Sequence, residues 1–173
     1  TKFTVKFWQQ PVNGSTTIGD YEFISSVEKK GTTDNSTGLD FTSDEFAKRY
    51  TGFHVSTVHM PQNADINGDG STEINIYYDR NAHSLTLKAD AQSQVSIDGG
   101  TPSSSSVTKT NILYGADVVM AADVNTGYLF DSWTYNNPQG TELTGAATYT
   151  LQMRDEDMVL QANTATSQFT SYT

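Results

Sequence analysis

Residues 74–90, INIYYDRNAHSLTLKAD, decide how the chain is divided. Ile74, Ile76 and Tyr78 alternate with Asn75, Tyr77 and Asp79, the period of two of a strand with one buried face. Leu85, Leu87 and Ala89 begin a second alternation. Between them Arg80, Asn81, Ala82 and His83 follow no period. The last strand of one module therefore runs almost directly into the first strand of the next. A joint that short leaves little slack and predicts modules set end to end, a geometry that suits a stalk better than a cleft.

Length agrees with that division. The 173 residues accommodate two small domains of roughly 80 to 90 residues each. The expected boundaries are 1–81 and 82–173, the second module closing in a polar Ser/Thr/Gln tail. Nine Tyr and eight Phe, together with Thr and Val, favour strands over helices. The expected fold class is mainly β with one short helix (α+β).

Net charge is −10, with a sequence pI near 4.5. That balance argues against nucleic acid, which requires clustered Lys and Arg to displace counterions, and against an anionic membrane surface. With no cysteine, a disulfide scaffold, a thiolate metal site and a Cys nucleophile are all excluded. No apolar run of about 18 residues is present, so membrane insertion by a helix is not expected. The chain opens on Thr1 and enters a strand almost at once. It reads as a fragment, a monomer within a longer multi-module protein.

In the first module Phe3, Val5 and Phe7 face one way, and Thr4, Lys6 and Trp8 the other. Asn13-Gly14 is a turn signal. A second strand is expected over 21–27 and a polar loop over 28–38. Thr42 and Glu45 then have the spacing of a capping box, and Phe41 and Phe46 that of a hydrophobic staple. These predict a helix over 43–50, stopped by Gly52. Further strands are expected over 53–58 and 74–79. One helix crossing a small sheet is an α+β unit.

These residues carry a resemblance. FTVKFWQQ at the start, YTGFHV after the helix (Tyr50, Gly52 and Phe53 its marked positions) and DGSTEINIYYDRN at the close resemble the mucin-binding-protein (MucBP) and internalin B-repeat group. The resemblance implies a β-grasp-like fold and a place on a Gram-positive bacterial surface protein.

The second module reads as strands over 85–89, 95–97, 116–124, 127–135, 147–153 and 158–162. A Gly/Ser-rich loop over 100–109 separates the second from the third. No segment reads as a helix, so the module is expected to be all-β or nearly so. YGADVVMAADVNTGYLFDSW followed by TYTLQMRDEDMVLQAN resembles the divergent internalin B-like repeats. Gly115, Gly127, Tyr128, Phe130, Trp133, Tyr149 and Asp157 stand at the positions of that pattern.

Two sets of residues are candidates for binding. Asp65, Asn67, Asp69 and the Ser71 carbonyl, with Glu73 nearby, follow the first half of a calcium loop. The position that should close such a loop with a bidentate Glu is Ile76. The competing reading is a tight Gly-rich turn. Calcium is thus the one possible cofactor.

The other set is Trp8, Tyr77, Tyr78 and Trp133, aromatics able to stack on sugar rings, against the reading that they pack as core or edge residues. His54 and His59 are expected on opposite faces of one strand and His83 in the joint, none placed to share a metal. Nucleophile elbow, zinc-protease helix, phosphate loop and dinucleotide fingerprint are all missing, which argues against an enzyme.

The resulting expectation is a non-catalytic stalk or spacer of an extracellular or cell-wall-attached bacterial protein, presenting or supporting adhesion. The alternative is an adhesin module that binds a glycan, mucin or host surface protein directly.

Overall fold

The computed structural model describes residues 1–167. The polar tail expected after Thr166 lies, apart from Ser167, outside them. The chain is mainly β, with one short α-helix among the described residues, and it divides into two compact units between Asn81 and Ala82.

The first unit consists of β1 (Lys2–Gln9), β2 (Glu22–Lys30), α1 (Asp44–Ala47), β3 (Phe53–Val55) and β4 (Glu73–Arg80). One sheet holds the strands in the order β2-β1-β4-β3. Strands β1 and β4 pair in parallel at its centre, while β2 and β3 flank them antiparallel. An opening hairpin, a helix and a closing strand that returns parallel to the first make this a β-grasp-like unit. Alternation places Phe3, Val5 and Phe7 of β1 and Ile74, Ile76 and Tyr78 of β4 on one buried face. Phe46 from α1 packs into the same core, and the Tyr78 hydroxyl donates to its carbonyl at 2.7 Å.

Two local expectations change here. The helix is a single turn instead of spanning 43–50. Its N-cap is Ser43, with no side-chain capping bond. Thr42 Oγ1 donates to Asp40 Oδ1 at 2.6 Å and Glu45 pairs with Lys29 at 2.7 Å, so the Thr42/Glu45 box does not form. Lys48 has left helical geometry at φ −112°, ψ 23°. The staple does form, with the Phe41 and Phe46 ring centres 5.9 Å apart. Strand β3 is three residues long because Ser56 Oγ accepts the N–H groups of Val58 and His59 and turns the chain.

The second unit consists of β5 (Ala82–Lys88), β6 (Ser93–Ile97), β7 (Ser106–Leu113), β8 (Asp117–Val124), β9 (Tyr128–Tyr135), β10 (Glu142–Thr144), β11 (Thr148–Gln152) and β12 (Met158–Thr166). A five-stranded sheet runs β10-β9-β12-β5-β7 and a three-stranded sheet β11-β8-β6. Strands β5 and β12 pair in parallel, and the remaining pairs are antiparallel. Residues of both sheets share one core, with Leu85, Leu87, Met120, Trp133 and Leu160 fully buried. Strands β7 and β10 were not expected. The region read as a polar loop over 100–109 already carries β7 from Ser106, paired with β5.

Candidate functional site

The outer face of the first sheet follows from the same alternation that fills the core. With Phe7 and Tyr78 turned inward, Lys6 and Trp8 of β1 and Asn75 and Tyr77 of β4 turn outward. The parallel register sets Trp8 beside Tyr77, Lys6 beside Asn75 and Thr4 beside Glu73. The Trp8 and Tyr77 rings lie 5.9 Å apart at 24°. Trp8 Nε1–H donates to Asn75 Oδ1 at 3.0 Å, which fixes the orientation of the indole. Lys6 and Glu73 form an ion pair of 2.9 Å on the same face.

Strand β2 supplies a third ring. Its register slips between Phe7 and Trp8, with Phe7 opposite Ser25 and Trp8 opposite Phe23. Ile24 is the extra, bulged residue. The bulge puts Phe23 edge-on to Trp8, ring centres 5.3 Å apart at 71°, and leaves Phe23 52% exposed.

Tyr21 and His59 also pack on Tyr77, with ring centres 5.2 and 5.7 Å from it. Tyr21 is anchored through its hydroxyl to Asp79, which also accepts Ser56 Oγ at 2.7 Å. Burial pushes the Tyr21 phenol well above its usual pKa, and the hydrogen bond and negative charge of Asp79 add to the effect. Burial raises the Tyr77 phenol as well. Trp8 and Tyr77 are half-buried, with the polar groups of Asn75, Lys6 and Glu73 on the same face.

Of the four aromatics singled out in the sequence, the structure brings together Trp8 and Tyr77. Tyr78 and Trp133 are fully buried in separate cores and present nothing to a ligand. Tyr78 shares the parity of Ile74 and Ile76, and Trp133 packs on Phe130 at 5.6 Å and donates to the Ala147 carbonyl at 3.3 Å.

The Asp65–Ser71 segment is a turn closed by its own hydrogen bonds. Asp69 Oδ1 accepts the Ser71 N–H at 3.0 Å, and hydrogen bonding from the Ser71 side chain, with that from its backbone, lowers the pKa of the Asp69 carboxyl. Asn67 Nδ2 donates to Ser71 Oγ at 3.3 Å, and Gly70 takes a positive φ of 78°. Asp65 bridges by its backbone to Ser36. Ile76, at the closing position, is a fully buried core residue, so these residues do not fit a complete calcium loop.

His54 Nδ1 lies 2.7 Å from Asn81 Oδ1 and His59 Nε2 lies 2.6 Å from the Thr16 carbonyl. His83 sits between Asp155 and Asp157 at 2.8 and 3.3 Å. Among the described residues no group of three or more His, Asp or Glu is arranged to hold a metal, and no helix is long and apolar enough to cross a membrane.

The glycines at the positions of the repeat pattern occupy turns. Gly115 and Gly127 have φ of 82° and 91°, Gly127 directly before β9, while Trp133 fills the core. Residues 83–168 match the divergent InlB B-repeat domain family. The second unit is therefore similar to a divergent InlB B-repeat domain.

No curated protein matches the sequence. Among solved structures, the chain resembles the type 2 repeat of the mucus binding protein MUB from Lactobacillus reuteri. That likeness has 9% identity, covers 96% of this chain and 100% of the other, and has a TM-score of 0.31. The chain is also similar to GBS52, the minor pilin of the gram-positive pathogen Streptococcus agalactiae. Here identity is 9%, coverage 99% and 98%, and the TM-score 0.34. Scores of this size leave the assignment to the InlB B-repeat match.

Proposed function

We propose that this chain is a non-catalytic part of an extracellular or cell-wall-attached bacterial protein that supports adhesion. In this reading the InlB B-repeat domain serves as a spacer and the first unit makes direct contact with a glycan. The observation that carries the contact is the outward set of Trp8, Tyr77 and Phe23 beside Asn75, Lys6 and Glu73. A pyranose ring offers a face of C–H groups to an aromatic surface and hydroxyls to the polar groups around it. Half-buried aromatics with polar neighbours suit that division. The indole is already oriented by Asn75, so less rotamer freedom is lost on binding.

The test is binding of the purified chain to a panel of glycans and mucins, with calcium and again with chelator. Saturable binding, lost in Trp8→Ala and Tyr77→Ala but kept in the chelator arm, is the expected outcome. A wholly negative panel would sink the direct-contact reading and leave the spacer reading. Loss of binding in chelator alone would bring Asp65, Asn67 and Asp69 back as metal ligands.

A further inference from the structure

The open edge of the first sheet carries a second surface. Strand β3 is paired on one side by β4 and ends the sheet on the other. Its ladder shows which backbone groups face the open side. Asn81 N–H donates to the Gly52 carbonyl and Ser56 N–H to the Tyr77 carbonyl. Hydrogen-bonded pairs recur at every second residue of an antiparallel ladder, so His54 also bonds to β4, while Val55 directs its N–H and C=O away from it.

Beside Val55 lies an open groove of about 420 Å³. Leu39, Phe41, Val55, Met60 and Pro61 give it apolar walls, and Asp40 stands in its lining. Met60 is 70% exposed, a large apolar side chain left in solvent at the edge of an apolar groove.

Charge decides what fits. No Lys or Arg is among the residues that line the groove, and the chain as a whole carries −10. Asp40 Oδ1 accepts the hydroxyl and N–H of Thr42 at 2.6 and 3.0 Å, which favours the ionised carboxylate and engages one of its two oxygens. An unpaired strand edge, apolar walls and a single carboxylate are together complementary to an extended peptide with alternating apolar and basic residues.

We propose that this groove docks an extended basic segment of a partner protein, which adds to β3 through the backbone of Val55, places an apolar side chain between Phe41 and Met60, and pairs a Lys or Arg with Asp40.

The probes are three capped hexapeptides that alternate Val with Lys, Glu or Ser, titrated into the 15N-labelled chain. The Lys peptide is expected to give saturable amide shifts at Val55, Phe41 and Met60, with an affinity at least about tenfold above that of the Glu peptide. Asp40→Asn should erase the preference for Lys over Ser, and exposed Met60→Ser, which removes the apolar wall without adding charge, should weaken all three, both with unchanged thermal midpoints. Trp8→Ala should leave these titrations unaltered, so this proposal and the glycan reading fail separately. The proposal is overturned if the Lys peptide gives no saturable shifts, if the shifts map away from the groove, or if the three peptides bind alike.

Discussion

An ideal Cβ built on Gly140 would run into the carbonyl oxygen of Tyr135, a backbone atom. The chain there is pinned on both sides, with Tyr135 N–H on the Thr141 carbonyl and Gly140 N–H on that of Asn137. Gly140→Ala is expected to destabilise the second unit by about 2–4 kcal/mol in a denaturant melt, because backbone has to shift. At Gly31 the clash is with Ile66 Cδ1, the tip of a side chain that can turn, so Gly31→Ala should cost about 1–2 kcal/mol.

Titration offers a second residue-level test, with opposite signs at the two ends of the pH scale. Tyr21 and Tyr78 hold their protons in the fold mainly because burial disfavours the phenolate. The unfolded chain ionises near pH 10, so their contribution is fully present below that and is lost as pH rises beyond it. Asp90 and Asp98 are depressed in the fold. For Asp90, burial is outweighed by hydrogen bonds from Thr164 at 2.6 Å and from Ser93 and Gln92. For Asp98 the causes are Lys109 at 2.5 Å and the Val119 N–H. Their contribution is present above the ordinary carboxylate range and disappears as pH falls through the lowered values. Thermal midpoints should therefore drop at both extremes, and Asp90→Asn should flatten the acid limb.

Among the elements, those legible in the sequence had a hydrophobic period to show. Strands β1, β4, β5 and β8 alternate clearly. Strand β7 could not be found that way, because Ser106 to Asn111 are mostly polar and exposed, with Ile112 buried and Val107 only partly so. Strand β10 is three residues long and has no period. The helix is short at its C-terminal end, where Lys48 already leaves helical geometry, and the first-turn residues carry no signal of that stop.

The candidate site was half legible. Outward parity marks Trp8 and Tyr77, and the same parity, applied to Tyr78, indicates a core residue. Strict alternation from Val27 and Ser25 would assign Phe23 to the core face. The bulge at Ile24 reverses it, and a register slip leaves no trace in a pattern of residue types. If Phe23 shields the indole as the 5.3 Å contact indicates, Phe23→Ala should shift Trp8 emission to the red. With Phe23 already 52% exposed, the stability change should stay below about 1 kcal/mol.

At the scale of the whole molecule, each unit has its own core and each holds one of the two tryptophans, Trp8 in the first and Trp133 in the second. Phe7→Ala removes a fully buried ring from the first core and should cost that unit about 3–5 kcal/mol. Unfolding should then split into two transitions, an early one reported by Trp8 and an unchanged one by Trp133, separable with single-tryptophan variants.

The strand order of the two units shares one property. In each, the strand that opens the unit is paired in parallel with the strand that closes it, β1 with β4 and β5 with β12. Tension applied between the ends of such a unit drags its two terminal strands past each other along their length. The ladder bonds then meet the pull together in shear instead of parting one after another like a zipper. Resistance to extension is thus set by the rate of rupture under force and not by the free energy of folding.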